Sequence, residues 1–199
     1  MMSKTHLSVG MAAALAVSPF TDINSCLLVL AGGAIGGVIP DVDILDDDYK
    51  CDALIGELIS FGLLALAIFI NHINKISIIG AAMEHKWLLI IGGAAFLILW
   101  LAGFSCDHRD FTHSLLSMAL FTASVALIYL PLTLPFAMGY LSHLLLDILN
   151  KKKIRLLFPR EGGICLGLCY ASKIGNTVFM ILGFIATAFL LVYRFINLH

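Results

Sequence analysis

Charge is scarce in this sequence. Asp, Glu, Lys and Arg make up 13% of its 199 residues, about half the share typical of soluble domains, and the mean hydropathy is +1.00. Such a surface excludes a water-soluble globule and places the chain in a bilayer. Twelve basic residues against thirteen acidic ones leave a formal net charge of -1, without the basic excess that nucleic-acid binding requires. No direct nucleic-acid partner is expected. The five cysteines, Cys26, Cys51, Cys106, Cys165 and Cys169, form no Cys-x-x-Cys pair, which excludes a zinc knuckle or dithiol centre. Cys165 and Cys169 share a helical spacing but lack a second pair to complete a tetrahedral site. A His-Glu-x-x-His helix is also missing, which removes the helix-borne metalloprotease motif. Internal repeats and low-complexity tracts are absent, so residues 1–199 read as a single membrane-embedded domain.

Long apolar runs, punctuated by Pro, Gly and polar clusters, are what the chain does have. They predict an all-α, polytopic transmembrane bundle of about seven helices: Leu7–Phe20, Asn24–Ile39, Leu54–Asn71, Trp87–Ser105, Ser114–Leu130, Leu134–Leu149 and Asn176–Ile196. A span needs about 20 residues, so the first, second and sixth segments are short. Residues 73–85 read as an interfacial connection, and the Pro131–Pro135 turn as a tight hairpin that folds His143 back towards His113. Lys4 and the apolar run to Phe20, with its Ala-rich stretch, also resemble a signal peptide. An uncleaved first helix is expected, since cleavage would discard His6.

With seven crossings and a cytoplasmic N-terminus, nine of the twelve basic residues fall inside: Lys4, Lys50, Arg109, Lys151, Lys152, Lys153, Arg155, Arg160 and Lys173. Lys75, Lys86 and Arg194 fall outside, which favours this orientation over its reverse. The same topology puts His6, Asp41, Asp43, Asp107, His108, His113, His143 and Asp147 on one side, although they come from separate helix ends and loops. His72, His85 and His199 lie on the other side, as interfacial or terminal residues.

Several local patterns carry the chemistry. His143 and Asp147 stand four residues apart on one helical face, suited either to ligate one metal or to pin two helices as a hydrogen-bonded pair. Pro40 fixes a turn from which Asp41 and Asp43 emerge, while Asp46, Asp47 and Asp48 read as solvated charge. In the run Asp107 to Ser114 two histidines bracket a helix start, with Asp110 or Thr112 suited to cap it. Arg109 there presents a planar fork that matches phosphate oxygens. His6 opens the first helix, and Glu57 lies within the third near its cytoplasmic end. Grouping these carboxylates and histidines without a cation would add mutual repulsion to the cost of desolvation. Oxygen and imidazole donors suit zinc first, with manganese or iron also compatible, and the number of donors allows one or two ions.

Four ordered blocks resemble the bacterial inner-membrane metal-dependent hydrolase family, also described as LexA-binding, inner-membrane-associated hydrolases. They are Thr5-His6-Leu7, Pro40-Asp41-Val42-Asp43, the block from His108 to Ser114, and the block from Gly139 to Asp147. Asp110 stands where many members have glycine, and the loop after the last block is unusually Lys-rich. The family is distantly similar to zinc-dependent phospholipase C and P1-type nucleases. The resemblance implies a multi-pass inner-membrane protein with His6, Asp41, His113, His143 and Asp147 as metal ligands. It makes Asp43 and His108 ligands or bases, gives Arg109 a phosphate oxygen to hold, and leaves Thr112, Ser114 and Ser142 to orient ligands.

The function expected on this basis is hydrolysis of a phosphoester in a phospholipid or lipid-linked substrate at the cytoplasmic membrane face. Two other classes stay open. A metal- or proton-coupled transporter would also carry ionisable residues among its helices, although such sites usually lie near the midplane. A non-catalytic membrane protein with a cytoplasmic regulatory partner is the third.

Overall fold

The computed structural model describes residues 1–44, 47–75, 78–168 and 174–197, with the side chains of residues 47–49 and 79 excluded. Eight α-helices follow in order: α1 Ser3–Val17, α2 Ile23–Val38, α3 Asp47–Ile73, α4 Ile78–Glu84, α5 Lys86–Phe104, α6 Leu115–Ile128, α7 Thr133–Leu149 and α8 Ile174–Ile196. Seven of them answer to the seven apolar runs. The short α4 fills the connection read as interfacial. Asp46, Cys169, Lys173 and His199 lie outside the described residues, as do the side chains of Asp47 and Asp48.

Among the described residues, five segments are long and apolar enough to cross a membrane: Ile23–Asp43, Lys50–Ile73, Lys86–Phe104, Leu130–Leu149 and Ile174–Ile196. The second and seventh helices reach that length because 3₁₀ turns, Ile39–Asp43 and Leu130–Leu132, extend them. At 15 and 14 residues, α1 and α6 stay below the length of about 20 residues that a full span needs. Of the segments read as short, the first stays short and the second and sixth reach spanning length through these turns, while the fifth, α6, is shorter than expected.

The centre of the bundle is α1, α2 and α7, each packed on the other two; α8 lies on α1, α3 on α2, and the α5–α6 pair joins through α6 to α7. Glycine makes this centre possible. A Cβ on Gly10 would sit 2.5 Å from Gly33 O, one on Gly139 2.2 Å from Gly33 O, and one on Gly36 2.1 Å from Phe136 O. Small residues let membrane helices approach backbone to backbone, where dispersion replaces the missing hydrophobic drive. Beside this seam Phe121, Phe136 and Tyr140 are buried and stack in tilted pairs. Outer faces of α3, α5 and α8 carry exposed Leu, Ile and Phe, including Leu58, Ile98 and Phe189, as lipid-facing surfaces do.

Local chemistry fixes the helix ends. Asp22 caps α2 in a reciprocal capping box with Ser25. The open N–H groups of α1 are met from other helices: Asn176 Oδ1 accepts from Met2 N at 3.0 Å and Asp52 Oδ2 from Ser3 N at 2.7 Å. At the opposite end Arg194 donates to the carbonyls of Leu15 and Ser18 and lies over Phe20. Neither Asp110 nor Thr112 caps α6. Ser114 does, accepting from Ser117 N at 3.1 Å, because Thr112 is turned inwards to Asp43.

Candidate metal centre

The close packing at the glycine seam sets two histidines side by side. A Cβ on Gly37 would lie 2.6 Å from the His6 carbonyl oxygen, and His143 Nδ1 donates to the Gly37 carbonyl at 2.7 Å. The two imidazoles therefore stack, with ring centroids 3.6 Å apart. With Nδ1 committed to a carbonyl, His143 has Nε2 as its lone-pair nitrogen, turned to the interior.

His113, on the 3₁₀ turn Phe111–His113, meets it from the other side. Its Nε2 lies 3.1 Å from His143 Nε2, while its Nδ1 lies 3.3 Å from Asp43 Oδ2. Two carboxylates close the set. Asp147 Oδ2 is 3.4 Å from His113 Nε2 and 4.0 Å from His143 Nε2; Asp41 Oδ1 is 3.8 Å and 3.6 Å from the same nitrogens. His6 Nε2 joins at 3.4 Å from Asp147 Oδ1. These six side chains, including Asp43, are at most 2% exposed.

Such spacings fit a cation. Donor atoms around a tetrahedral ion with bonds of about 2.0–2.1 Å lie about 3.3 Å from one another. Three donor groups can be drawn: His6, His143 and Asp147; Asp41, His113 and His143; and Asp43, His108 and His113. Both ring nitrogens of His6 are buried without a hydrogen bond, a costly state that coordination would relieve. All seven histidines and aspartates singled out as ligands thus converge, from the N-terminal end of α1, the turn after α2, the loop before α6 and the C-terminal half of α7.

The structure divides them. Asp43 and His108 sit outside the inner set: Asp43 Oδ1 is 2.6 Å from His108 Nδ1, and Oδ2 accepts from the Thr112 hydroxyl and from Arg109 N. Asp43 is placed to hold the His113 ring with Nε2 facing inwards, the familiar outer carboxylate of a metal-bound imidazole. Burial works against a charged His113, but Asp43 and Asp147 outweigh it and raise its pKa to about 9. His108 is the half-exposed member, its side chain 35% accessible. It stands at the mouth.

Arg109 closes that mouth. Its φ of 73° is a left-handed conformation rarely adopted outside glycine, and it aims the guanidinium inwards, with Nη1 3.2 Å from Asp147 Oδ2. The same nitrogen donates to Lys152 O, and Arg109 O accepts from Arg155 N. Arg155 also pairs with Asp110 at 2.7 Å, so the basic loop after α7 is stitched across the entrance. The Met1 amino group reaches Asp147 Oδ1 from within.

Residues 1–198 match the YdjM inner membrane protein family. The chain belongs to that family. With its apolar helices, this makes it a multi-pass inner-membrane protein. No curated protein and no solved structure matches the chain. In this YdjM family member the sequence reading missed the outer contacts that hold the carboxylates. Ser3 Oγ donates to Asp41 Oδ2 at 2.7 Å, and Tyr140 Oη donates to Thr112 O while contacting Ser117. Ser3 lies outside the four blocks, and Tyr140, although inside the last of them, carries no spacing that would mark this contact. Of the three hydroxyls expected to orient ligands, Thr112 does so; Ser114 caps α6, and Ser142 donates to Gly139 O of its own helix. Asp107 and Glu57 make no part of the three donor groups.

Proposed function

We propose that this protein is a membrane-bound, metal-dependent hydrolase acting on a phosphoester in a phospholipid or lipid-linked substrate. The observation that supports it is the inner set of His6, Asp41, His113, His143 and Asp147, buried together, with both ring nitrogens of His6 left without a hydrogen bond and the Nε2 atoms of His113 and His143 turned to each other. A structural His–Asp pin would pair those atoms internally, whereas a ligand shell leaves them pointing at one another.

His113 and His143 hold their Nε2 atoms inwards through Asp43 and the Gly37 carbonyl, so the geometry exists before any ion arrives. Zinc suits this donor set best, with manganese or iron as alternatives, and when bound would supply Lewis-acid activation of water and of a phosphoryl oxygen. Arg109 lies beside Asp147 at the mouth, where its fork can turn to a phosphate oxygen. His108, held by Asp43 and partly open to solvent, is placed to take or return a proton as the ester bond breaks.

Elemental analysis of detergent-purified wild type beside His143→Ala tests this directly, followed by phosphoester assays with and without chelator. One or two equivalents of zinc or manganese in wild type, lost in the variant together with chelator-sensitive phosphate release, supports the proposal. A protein that binds no metal after loading overturns it. Metal bound without any hydrolysis would leave the ion as a structural element of the bundle and end the enzymatic reading.

A further inference from the structure

The membrane helices α3 and α5 are joined through α4 yet pack on different partners, α3 on α2 and α5 on α6. Between them runs a groove of about 390 Å³, lined by Leu54, Leu58, Phe61, Phe96 and Leu97, among others, and carrying Glu57 and Trp100. A second hollow of about 170 Å³ shares Phe61, Phe96 and Ile128 with it and continues to Gly32 and Phe136 of the central helices. Leu54, Leu58 and Leu97 are more than half exposed, so the groove opens sideways towards the bilayer.

One end of the groove lies against the metal centre. Trp100 is about one helical turn from Gly103, where a Cβ would meet Val42 at 2.7 Å and Thr112 at 3.1 Å. Glu57 follows Gly56, which packs on Ser3, the residue whose hydroxyl holds Asp41. At this end the indole Nε1 of Trp100 is buried and has no acceptor, although an unmet donor within a bilayer costs several kcal/mol.

We infer that this groove binds an acyl chain of a membrane phospholipid, with the Trp100 indole turning into the groove so that an ester carbonyl of the lipid accepts from its Nε1, and with the headgroup phosphate carried towards the metal centre. A chain of CH₂ groups matches the apolar lining, and an ester carbonyl is an acceptor without a donor, as the lone indole N–H requires. A phospholipid carries both groups in one molecule. The inference deepens the proposed function, because it names the lipid moiety that such a substrate presents.

Gly93 lines the groove, and a Cβ there would meet nothing within 4 Å, so Gly93→Phe fills the space without striking backbone. Gly62 on α3 is equally open but is not among the lining residues, so Gly62→Phe adds the same bulk as a control. The chain has two tryptophans, and Trp87→Phe leaves Trp100 as the sole tryptophan, excited selectively over tyrosine at the red edge. The full chain in that background, stripped of lipid in detergent, is titrated with dioleoylphosphatidylglycerol brominated along its acyl chains, and metal content is measured on each sample.

Saturable quenching of Trp100 is expected, reversed by unbrominated lipid, unchanged in Gly62→Phe and weakened roughly tenfold or more in Gly93→Phe. Should Gly93→Phe not fold, Trp100→Phe is read by native mass spectrometry of the same lipid. It is expected to weaken binding by about threefold to tenfold, as loss of one hydrogen bond does. Non-saturable quenching that is equal in all variants overturns the inference, as does lipid affinity unchanged in both Gly93→Phe and Trp100→Phe. Retained metal with no saturable lipid defeats this inference alone; saturable lipid in a protein that takes up no metal defeats the hydrolase reading alone.

Discussion

At the scale of single residues, the inner and outer members of the centre differ in what their loss should do. His143→Ala or Asp147→Ala removes a donor from the buried set, and bound metal measured by elemental analysis should fall to background. Asp43→Asn keeps the shape but weakens the hold on His113 Nδ1; its expected effect is a loss of about 10–100-fold in metal affinity, the range for outer carboxylates, read by competition with a chromogenic chelator. Protonation opposes binding at the same ring. With its pKa raised to about 9 by the two carboxylates, His113 is protonated in the metal-free protein at neutral pH, so binding must expel that proton. Metal affinity should therefore rise with pH between about 6 and 9, and a flat profile in isothermal titration would show that His113 is not a ligand. Ser114→Ala should cost about 0.5–2 kcal/mol through the lost cap on α6, a stability effect to be checked by thermal melting with metal content unchanged.

At the scale of helices, what was legible in the sequence was whatever depends on composition over many residues. The seven apolar runs became seven helices within about four residues of their expected ends, except that α3 starts at Asp47, seven residues before the expected Leu54, because a bilayer leaves an apolar segment little choice but to satisfy its backbone internally. His143 and Asp147 were legible for a similar reason, since a four-residue spacing on a helix fixes a shared face. Helix pairing was not legible. The approach of α2 to α1 and α7 depends on Gly10, Gly33, Gly36 and Gly139 falling in register, and a glycine-rich stretch alone does not say which neighbour it faces. The split between inner ligands and the outer Asp43 was hidden too, because it arises from the direction of each side chain and not from spacing. The seam gives a direct test. Gly36→Ala would put a methyl 2.1 Å from a backbone oxygen and should force α2 off α7, costing more than about 2 kcal/mol and lowering metal content with it. Gly62→Ala, with open space around it, should be neutral or stabilising by up to about 1 kcal/mol. Thermal melting of both variants in detergent distinguishes a packing seam from ordinary small-residue usage.

At the scale of the whole molecule, the centre works as a tie between helices that have few other polar links. If the ion binds only the folded bundle, a concentration 100-fold above its dissociation constant should add about 2.7 kcal/mol of stability. Chelation should therefore lower the melting temperature of wild type but leave that of His143→Ala unmoved, and equal shifts in both would mean that the chelator acts elsewhere. The order of the donors along the chain also has a meaning in time. His6 leaves the ribosome first, Asp41 and His113 follow, and His143 and Asp147 come last. A nascent chain that has inserted only as far as α6 carries three of the five inner donors and none of the pair that completes them. If the centre binds metal, its uptake is an event of late biogenesis, and a chain truncated before α7 should reach the membrane without acquiring an ion.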